Sequence, residues 1–177
     1  IIKNGIGVIN WDFLSKAPQE GMTSGGIFPA IVGTLCLVIG SCLFSFPIGI
    51  MSGIYMNEYA KNGKLISFIR IMTNNLSGVP SVVFGLFGMS LFVNFLGFGD
   101  SIIAGSLTLG LMSLPLVIRT TEEALKSIDN SFREGSLALG ATQLETIRKV
   151  ILPMALPNII TGLILSIGRV SGETAPI

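Results

Sequence analysis

The chain has no histidine, two cysteines, one tryptophan and little charge, with 11 basic and 10 acidic residues making up 12% of it. Without histidine the usual general base is missing, and with it the Ser-His type of triad and most zinc sites. Cys36 and Cys42 lie six apart in one apolar helical run and project to different faces, which suits neither a disulfide nor a metal site. They read as small packing hydrophobes. No G-x-x-x-x-G-K-[ST] stretch occurs, so the chain does not hold a nucleotide by a P-loop. A net charge of +1 gives no bias toward nucleic acid or an acidic partner. Neither a metal nor a cofactor nor a catalytic residue is expected of this chain.

What is present is apolar. Half of the residues are hydrophobic and the mean hydropathy is +0.76, as in a membrane protein or a piece of one. A helix rises 1.5 Å per residue, so about 20 apolar residues cross a hydrocarbon core of roughly 30 Å. Four spans are read on this basis, over about 27–55, 79–98, 102–118 and 158–177. The first lies in a stretch without charge from Ile27 to Asn57 and is expected to kink at Pro47. The last carries Arg169 and Glu173 inside it. Many of the 22 glycines fall within these spans, which suits a bundle whose backbones approach closely. The expected fold class is all-α, a polytopic membrane helix bundle.

Lys61, Lys64 and Arg70 lie between the first two spans, and Arg119, Lys126, Arg133, Arg148 and Lys149 between the last two. On the other side stand only Lys3 and Lys16. By the positive-inside rule residues 1–26 and the "GFGDS" turn face outward, while 56–78 and 119–157 face the cytoplasm. The chain starts with isoleucine and ends inside a patterned segment, so it is expected to be an excerpt with a helix missing at either end.

Residues 119–157 are too long for a simple connection and too well patterned for disorder. "TEEALKSI" reads as a helix start with Thr121 as N-cap. A second helix is expected over Phe132–Leu139, stopping at Gly140, and a third from Thr142 toward Ile151 that breaks at Pro153 and Pro157. With Leu137, Ala138 and Leu139 beside the turn, the element reads as a docking surface for a soluble partner or as an amphipathic segment resting on lipid head groups.

The run Glu134-Gly135-Ser136, three residues, Gly140, nine residues and Val150-Ile151-Leu152-Pro153 resembles the "EAA" loop of ABC importer permeases, E-A-A-x3-G-x9-I-x-L-P. Gly135 and Ser136 replace two alanines and Val150 an isoleucine; Gly135 should weaken its helix by roughly 1 kcal/mol relative to alanine. Further segments resemble the A-type permeases of the Pst phosphate importers. These are "WDFLSKAP", "GGIFPAIVGTL", "GVPSVVFGLFG", "LPLVIRTTEEAL" and "GRVSGETAPI", so the resemblance covers nearly the whole chain. It implies a type I ABC importer permease (MetI-like) with six spans, four of them here, in a bacterial plasma (inner) membrane. The implied partners are a second (C-type) permease, two ATP-binding subunits that carry ATP and Mg, and an extracytoplasmic phosphate-binding protein. It also implies that Glu134, Gly135, Ser136, Leu137, Ala138, Leu139 and Gly140, with Leu152 and Pro153, form the loop that couples to the ATPase.

A charge at the centre of a membrane helix costs about 2.5 to 3.5 kcal/mol on insertion scales. Arg169 and Glu173 are four apart and are expected to pair on one helical face. One reading is that the pair only fixes helix packing. The other is that Arg169 offers its planar donor fork to an oxyanion while Glu173 holds it and limits how tightly the anion binds; the resemblance implies that both positions belong to the phosphate path. Arg119 reads either as a snorkelling anchor or as a second anion contact at the inner exit. Ser81 offers a hydroxyl to that path, or bonds its own helix. The expected function is a phosphate-importing permease without ATPase chemistry of its own. An importer of another oxyanion or small solute, a secondary anion transporter or channel, and a membrane scaffold are the alternatives.

Overall fold

A computed structural model describes residues 10–19, 24–60 and 63–173. Helix α1 covers Trp11–Ser15 and is followed by a two-residue antiparallel pairing of β1 (Pro18–Gln19) with β2 (Ser24–Gly25). The long helices come next. Helix α2 runs over Phe28–Ile54, continues through Pro47 without a break, and ends in a wider π-helical turn, Tyr55–Tyr59. Helix α3 is Lys64–Leu76; α4 is Ser81–Gly88, continued by a π-helical segment Met89–Phe95. Helix α5 covers Ile102–Lys126, α6 Asn130–Ala138 and α7 Gln143–Thr146, which passes through a π turn, Ile147–Ile151, into α8, Leu152–Gly172.

Among the described residues, three helical stretches are long and apolar enough to cross a membrane: Phe28–Tyr59, Ile102–Lys126 and Gln143–Gly172. The second expected span, 79–98, is helical only over Ser81–Phe95, and reaches that length only together with α3, from which it is bent by 102°. Pro80 ends the approach, because a residue before proline is pushed out of the helical region. Residues 1–9, Lys61 and 174–177, including the end of the fourth expected span, lie outside the described residues.

Three expectations for the segment after the third span are corrected. Thr121 does not cap a helix: α5 continues without a break to Lys126, and Thr121 is fully buried in its interior. The apolar face that buries Val117, Thr121, Ala124 and Leu125 continues past the point where lipid-like composition stops, so packing carries the helix onward. Pro153 and Pro157 do not break the last helix either. Pro153 follows directly on the π turn, whose wider hydrogen-bonded ring leaves room for the proline ring, and Pro157 lies inside the continuous helix α8. The third correction concerns Arg169 and Glu173 and is taken up with the site.

Helix α5 is the hub: α2, α4 and α8 all pack on it. In lipid there is no hydrophobic drive to bring helices together, so close van der Waals contact must do it, and small residues permit that approach. On α2 the buried positions are Ser41, Ser45, Gly49 and Gly53, a strict four-residue stripe. A Cβ on Gly49 would lie 2.6 Å from Cγ1 of Val117, and one on Gly53 2.7 Å from Cβ of Thr121. Across the other face Gly162 of α8 abuts Thr120, where an added Cβ would meet Oγ1 at 2.6 Å. These contacts rise together along α2 and α5, which are therefore parallel, and run oppositely along α5 and α8, where Val170 meets Leu109 and Met112. The C-terminal ends of α2 and α5 thus share one end of the bundle with α6 and α7. An apolar cluster of Ala124, Leu125, Ile151, Ala155 and Ile159 closes that end.

Gly49→Ala or Gly53→Ala should destabilise the bundle by about 1–3 kcal/mol through overpacking. Gly33→Ala, where an added Cβ meets nothing within 4 Å, should be neutral or stabilising. Thermal unfolding of the detergent-solubilised protein separates the two classes.

Candidate functional site: a short capped helix and an arginine in an apolar helix

Helix α6 begins at Asp129, whose carboxylate accepts the Ser131 N–H at 2.8 Å, the usual N-cap bond. That bond holds the Asp129 carboxyl below its ordinary range. Its C-terminus closes as a Schellman motif: Gly140 N–H donates to Leu137 O at 2.9 Å, Ala141 N–H donates to Ser136 O at 3.3 Å, and Gly140 adopts φ +86°. The glycine of the expected loop is required by that left-handed turn. Thr142 and Glu145 then form a reciprocal capping box that starts α7.

No residue of α6 is buried. Phe132 and Leu137 are half exposed, and Leu139 is 91% exposed. Glu134 is exposed and has no ion pair or hydrogen bond to any described residue; beside Gly135 an added Cβ would meet open space. Glu134, Gly135, Leu137, Ala138, Leu139 and Gly140 are thus all exposed. Ser136 turns inward: its hydroxyl lies 2.9 Å from that of buried Thr146. Leu152 packs on the apolar cluster at this end of the bundle, while Pro153 is exposed.

Sequence reasoning missed what holds α6 in place. Arg133 faces inward and forks onto Glu58 at the end of α2, with Nη2 to Oε1 at 2.7 Å and Nε to Oε2 at 3.2 Å. A second ion pair joins Arg70 of α3 to Glu122 of α5 at 2.8 Å, with Lys126 on the same carboxylate at 2.7 Å. Glu58 could have been noticed as the first charge after the uncharged run from Ile27 to Asn57. Arg133 had been counted only as a positive charge on one side.

Arg169 is half-buried on α8, one residue before buried Val170, and has no ion pair or hydrogen bond to any described residue. The expected pairing with Glu173 does not form. Helix α8 ends at Gly172, and Glu173 is its C-cap (φ −81°, ψ 135°), its N–H donating to Val170 O and its carboxylate making no ion pair with Arg169. The arrangement expected there occurs instead at Arg119, whose Nε donates to Glu123 at 2.8 Å on a helix that does continue. Arg119 is exposed and borders a small cavity of about 150 Å3 with Arg70, Glu122 and Lys126. Ser81 is the first residue of α4, partly buried, with no hydrogen bond to a described residue through its side chain. The three residues form no cluster. Because Gly162 is level with Thr120, Arg169 lies about 10 Å farther along the bundle axis than Arg119.

An all-α bundle of apolar helices with a capped, outward-facing short helix at its charged end is a polytopic permease architecture of the type I ABC importer (MetI-like) kind. A chain of a methionine ABC transporter, solved in inward-facing conformations, superposes with a TM-score of 0.76 at 24% identity, over 82% of this chain and 70% of that one. Residues 45–177 match the model of the binding-protein-dependent transport system inner membrane component, and the chain belongs to that family. It is 39% identical over its whole length to "Probable ABC transporter permease protein YqgI" of Bacillus subtilis, covering 60% of that protein. It is 40% identical over 94% of its length to the phosphate transport system permease protein PstA 1 of Mycobacterium tuberculosis, covering 55% of it. The PstA protein of Mycobacterium leprae is 40% identical over 90% of the chain, which covers 52% of it. The chain thus spans about half to three-fifths of the curated relatives it matches.

Gly140→Ala should cost α6 roughly 1–2 kcal/mol, the price of a left-handed non-glycine residue, whereas Gly135→Ala should stabilise it by about 1 kcal/mol. Amide exchange across 130–139 reads both. The depressed Asp129 carboxyl adds a pH window: its capping contribution is complete above the ordinary carboxylate value and is lost as pH falls through the lower folded value. Ser131 amide protection, corrected for intrinsic exchange, should fall in that window.

Proposed function

We propose that the chain is the membrane permease subunit of an ATP-driven importer for inorganic phosphate, in a bacterial plasma membrane. Residues 56–78 and 119–157 face the cytoplasm. Helix α6 sits in a groove of an ATP-binding subunit, with Leu137 and Leu139 as its apolar contacts and Glu134 as a free carboxylate at its rim. The complex contains a second permease, two ATP-binding subunits and an extracytoplasmic phosphate-binding protein. ATP and Mg belong to the ATP-binding subunits, and this chain contributes the pathway and its switching between outward-open and inward-open forms.

The observation that carries the substrate reading is Arg169, a half-buried guanidinium in an apolar helix without a partner among the described residues. Such a group is costly unless something anionic meets it, and its planar fork matches a phosphate oxygen pair. Arg119, about 10 Å nearer the cytoplasmic end, is the second station, and its bond to Glu123 limits how long an anion stays. Ser81 supplies a hydroxyl near that exit. Glu173 acts through its charge near the outer end of α8. The 40% identity to proteins called phosphate transport permeases supports phosphate over other anions. An importer of a different oxyanion is the second reading, which the similarity to YqgI leaves open because that name states no substrate.

The complete transporter, reconstituted with its partners in vesicles, should take up phosphate only with ATP. Arg169→Ala should lower phosphate uptake tenfold or more, about 1.4 kcal/mol, with assembly intact. Equal uptake by both proteins sinks the role of Arg169. Preference for sulfate or molybdate in the wild type moves the reading to the second one, and phosphate movement without any ATPase removes the importer reading.

A further inference from the structure

Helix α6 buries no side chain of its own, so an apolar core does not fix it to the bundle. Arg133 does. All five N–H donors of its guanidinium are used: Nε on Glu58 Oε2 at 3.2 Å, Nη2 on Glu58 Oε1 at 2.7 Å and on Leu125 O at 2.9 Å, and Nη1 on Ile128 O at 3.0 Å and Asn130 Oδ1 at 3.2 Å. Leu125 belongs to the last turn of α5, and Glu58 to the π turn that ends α2. Glu58 is held from the other side as well. Asn57 Nδ2 donates to its carboxylate at 2.7 Å, and Gln143 Nε2 of α7 donates to its main-chain oxygen at 2.8 Å. The side chains of Glu58 and Arg133 are 7% and 18% exposed, so water neither screens the pair nor readily replaces it.

We propose that the Glu58–Arg133 pair is a coupling strut, which transmits displacement of α6 by the ATP-binding subunit to the cytoplasmic ends of α2 and α5. The inference rests on the importer reading above and adds to it a positioning pair on the inward side of α6, opposite its exposed face and away from Arg169. A short helix with no apolar anchor would otherwise be held to the bundle mainly through its two short links. The bidentate fork fixes orientation as well as distance, which a lysine, a single point charge on a flexible stem, does not. The other side-chain tie of α6 to a neighbouring element among the described residues, Ser136 to Thr146, reaches the end of α7 rather than α2. The strut therefore selects which helices move. Its partners sit where it can do so, because the parallel packing of α2 on α5 brings both helix ends to one level.

The complete transporter with its ATP-binding subunits and binding protein, in proteoliposomes, tests this with Glu58→Gln and Arg133→Lys. The quantity read is phosphate taken up per ATP hydrolysed, which does not depend on how much complex assembles. Amide exchange across 130–139 is read on the same preparations. Both variants should keep hydrolysing ATP, lose about tenfold or more of the uptake per ATP, and exchange faster over 130–139. A ratio equal to the wild type overturns the strut, including the case where uptake and hydrolysis fall together. Unchanged exchange over 130–139 also overturns it. Absence of ATP-driven phosphate uptake in the wild type itself would instead overturn the importer reading, and the exchange arm would still decide whether the pair holds α6.

Discussion

Everything at the charged end of this bundle depends on how closely α2 lies against α5. The stripe of Ser41, Ser45, Gly49 and Gly53 lets the two backbones come together over most of their length, and Gly49 and Gly53 leave no room for a methyl group against Val117 and Thr121. In lipid such contact supplies the attraction that the hydrophobic effect would supply in water. Because the helices are parallel, their C-terminal ends finish side by side. This brings the Glu58 carboxylate, the last carbonyls of α5 and Arg133 within one hydrogen-bonded group. A shift of α2 by one turn, about 5.4 Å, would take Glu58 out of reach and leave a buried arginine without its counter-ion.

Charge is arranged by depth. At the end that carries α6, Arg70, Lys126, Arg119 and Arg133 each meet a carboxylate, and the two pairs joining separate elements are the more buried ones. The pairs Arg119–Glu123 and Glu145–Lys149, each within one helix turn, are solvent-exposed and of a kind that contributes little to stability. Arg169 differs from all of these. It lies on an apolar helix whose next residue is in the core, and Glu173 makes no ion pair with it. The same two residue types at the same spacing therefore give an ion pair at 119 and 123 and none at 169 and 173. The backbone setting differs: Arg119 and Glu123 lie within a continuing helix, whereas Glu173 is the C-cap of α8.

The loop that the comparison with ABC permeases had singled out proves to be built by local rules. Gly140 is a C-cap that only glycine fills without strain, and Thr142 with Glu145 restarts the chain as a helix within three residues. Its exposed face, from Glu134 to Leu139, has no apolar cover among the described residues. Within the same short helix adjacent residues divide the work: Arg133 turns in to hold it, Glu134 turns out. Neither role can be read from the type of residue, since both are charged and both could be solvated.

The sequence by itself determined the class of the molecule. Its apolar runs, its sparse and one-sided charge and the spacing from Glu134 to Pro153 led to an all-α membrane bundle with a short capped helix near Gly140, because composition, capping and left-handed glycine turns are local properties. Local signals also misled. Thr121 with two following glutamates looks like a helix start, but burial on α5 overrode the cap; Pro153 and Pro157 look like breaks, but Pro153 follows a π turn and Pro157 is carried inside α8. Only the tertiary structure decided that Arg133 finds Glu58, 75 residues away, that Ser136 faces inward, and that Arg169 is left without Glu173. Those outcomes depend on the level at which α2 meets α5 and on the residue at which α8 stops, and both are set by packing between segments far apart in the chain.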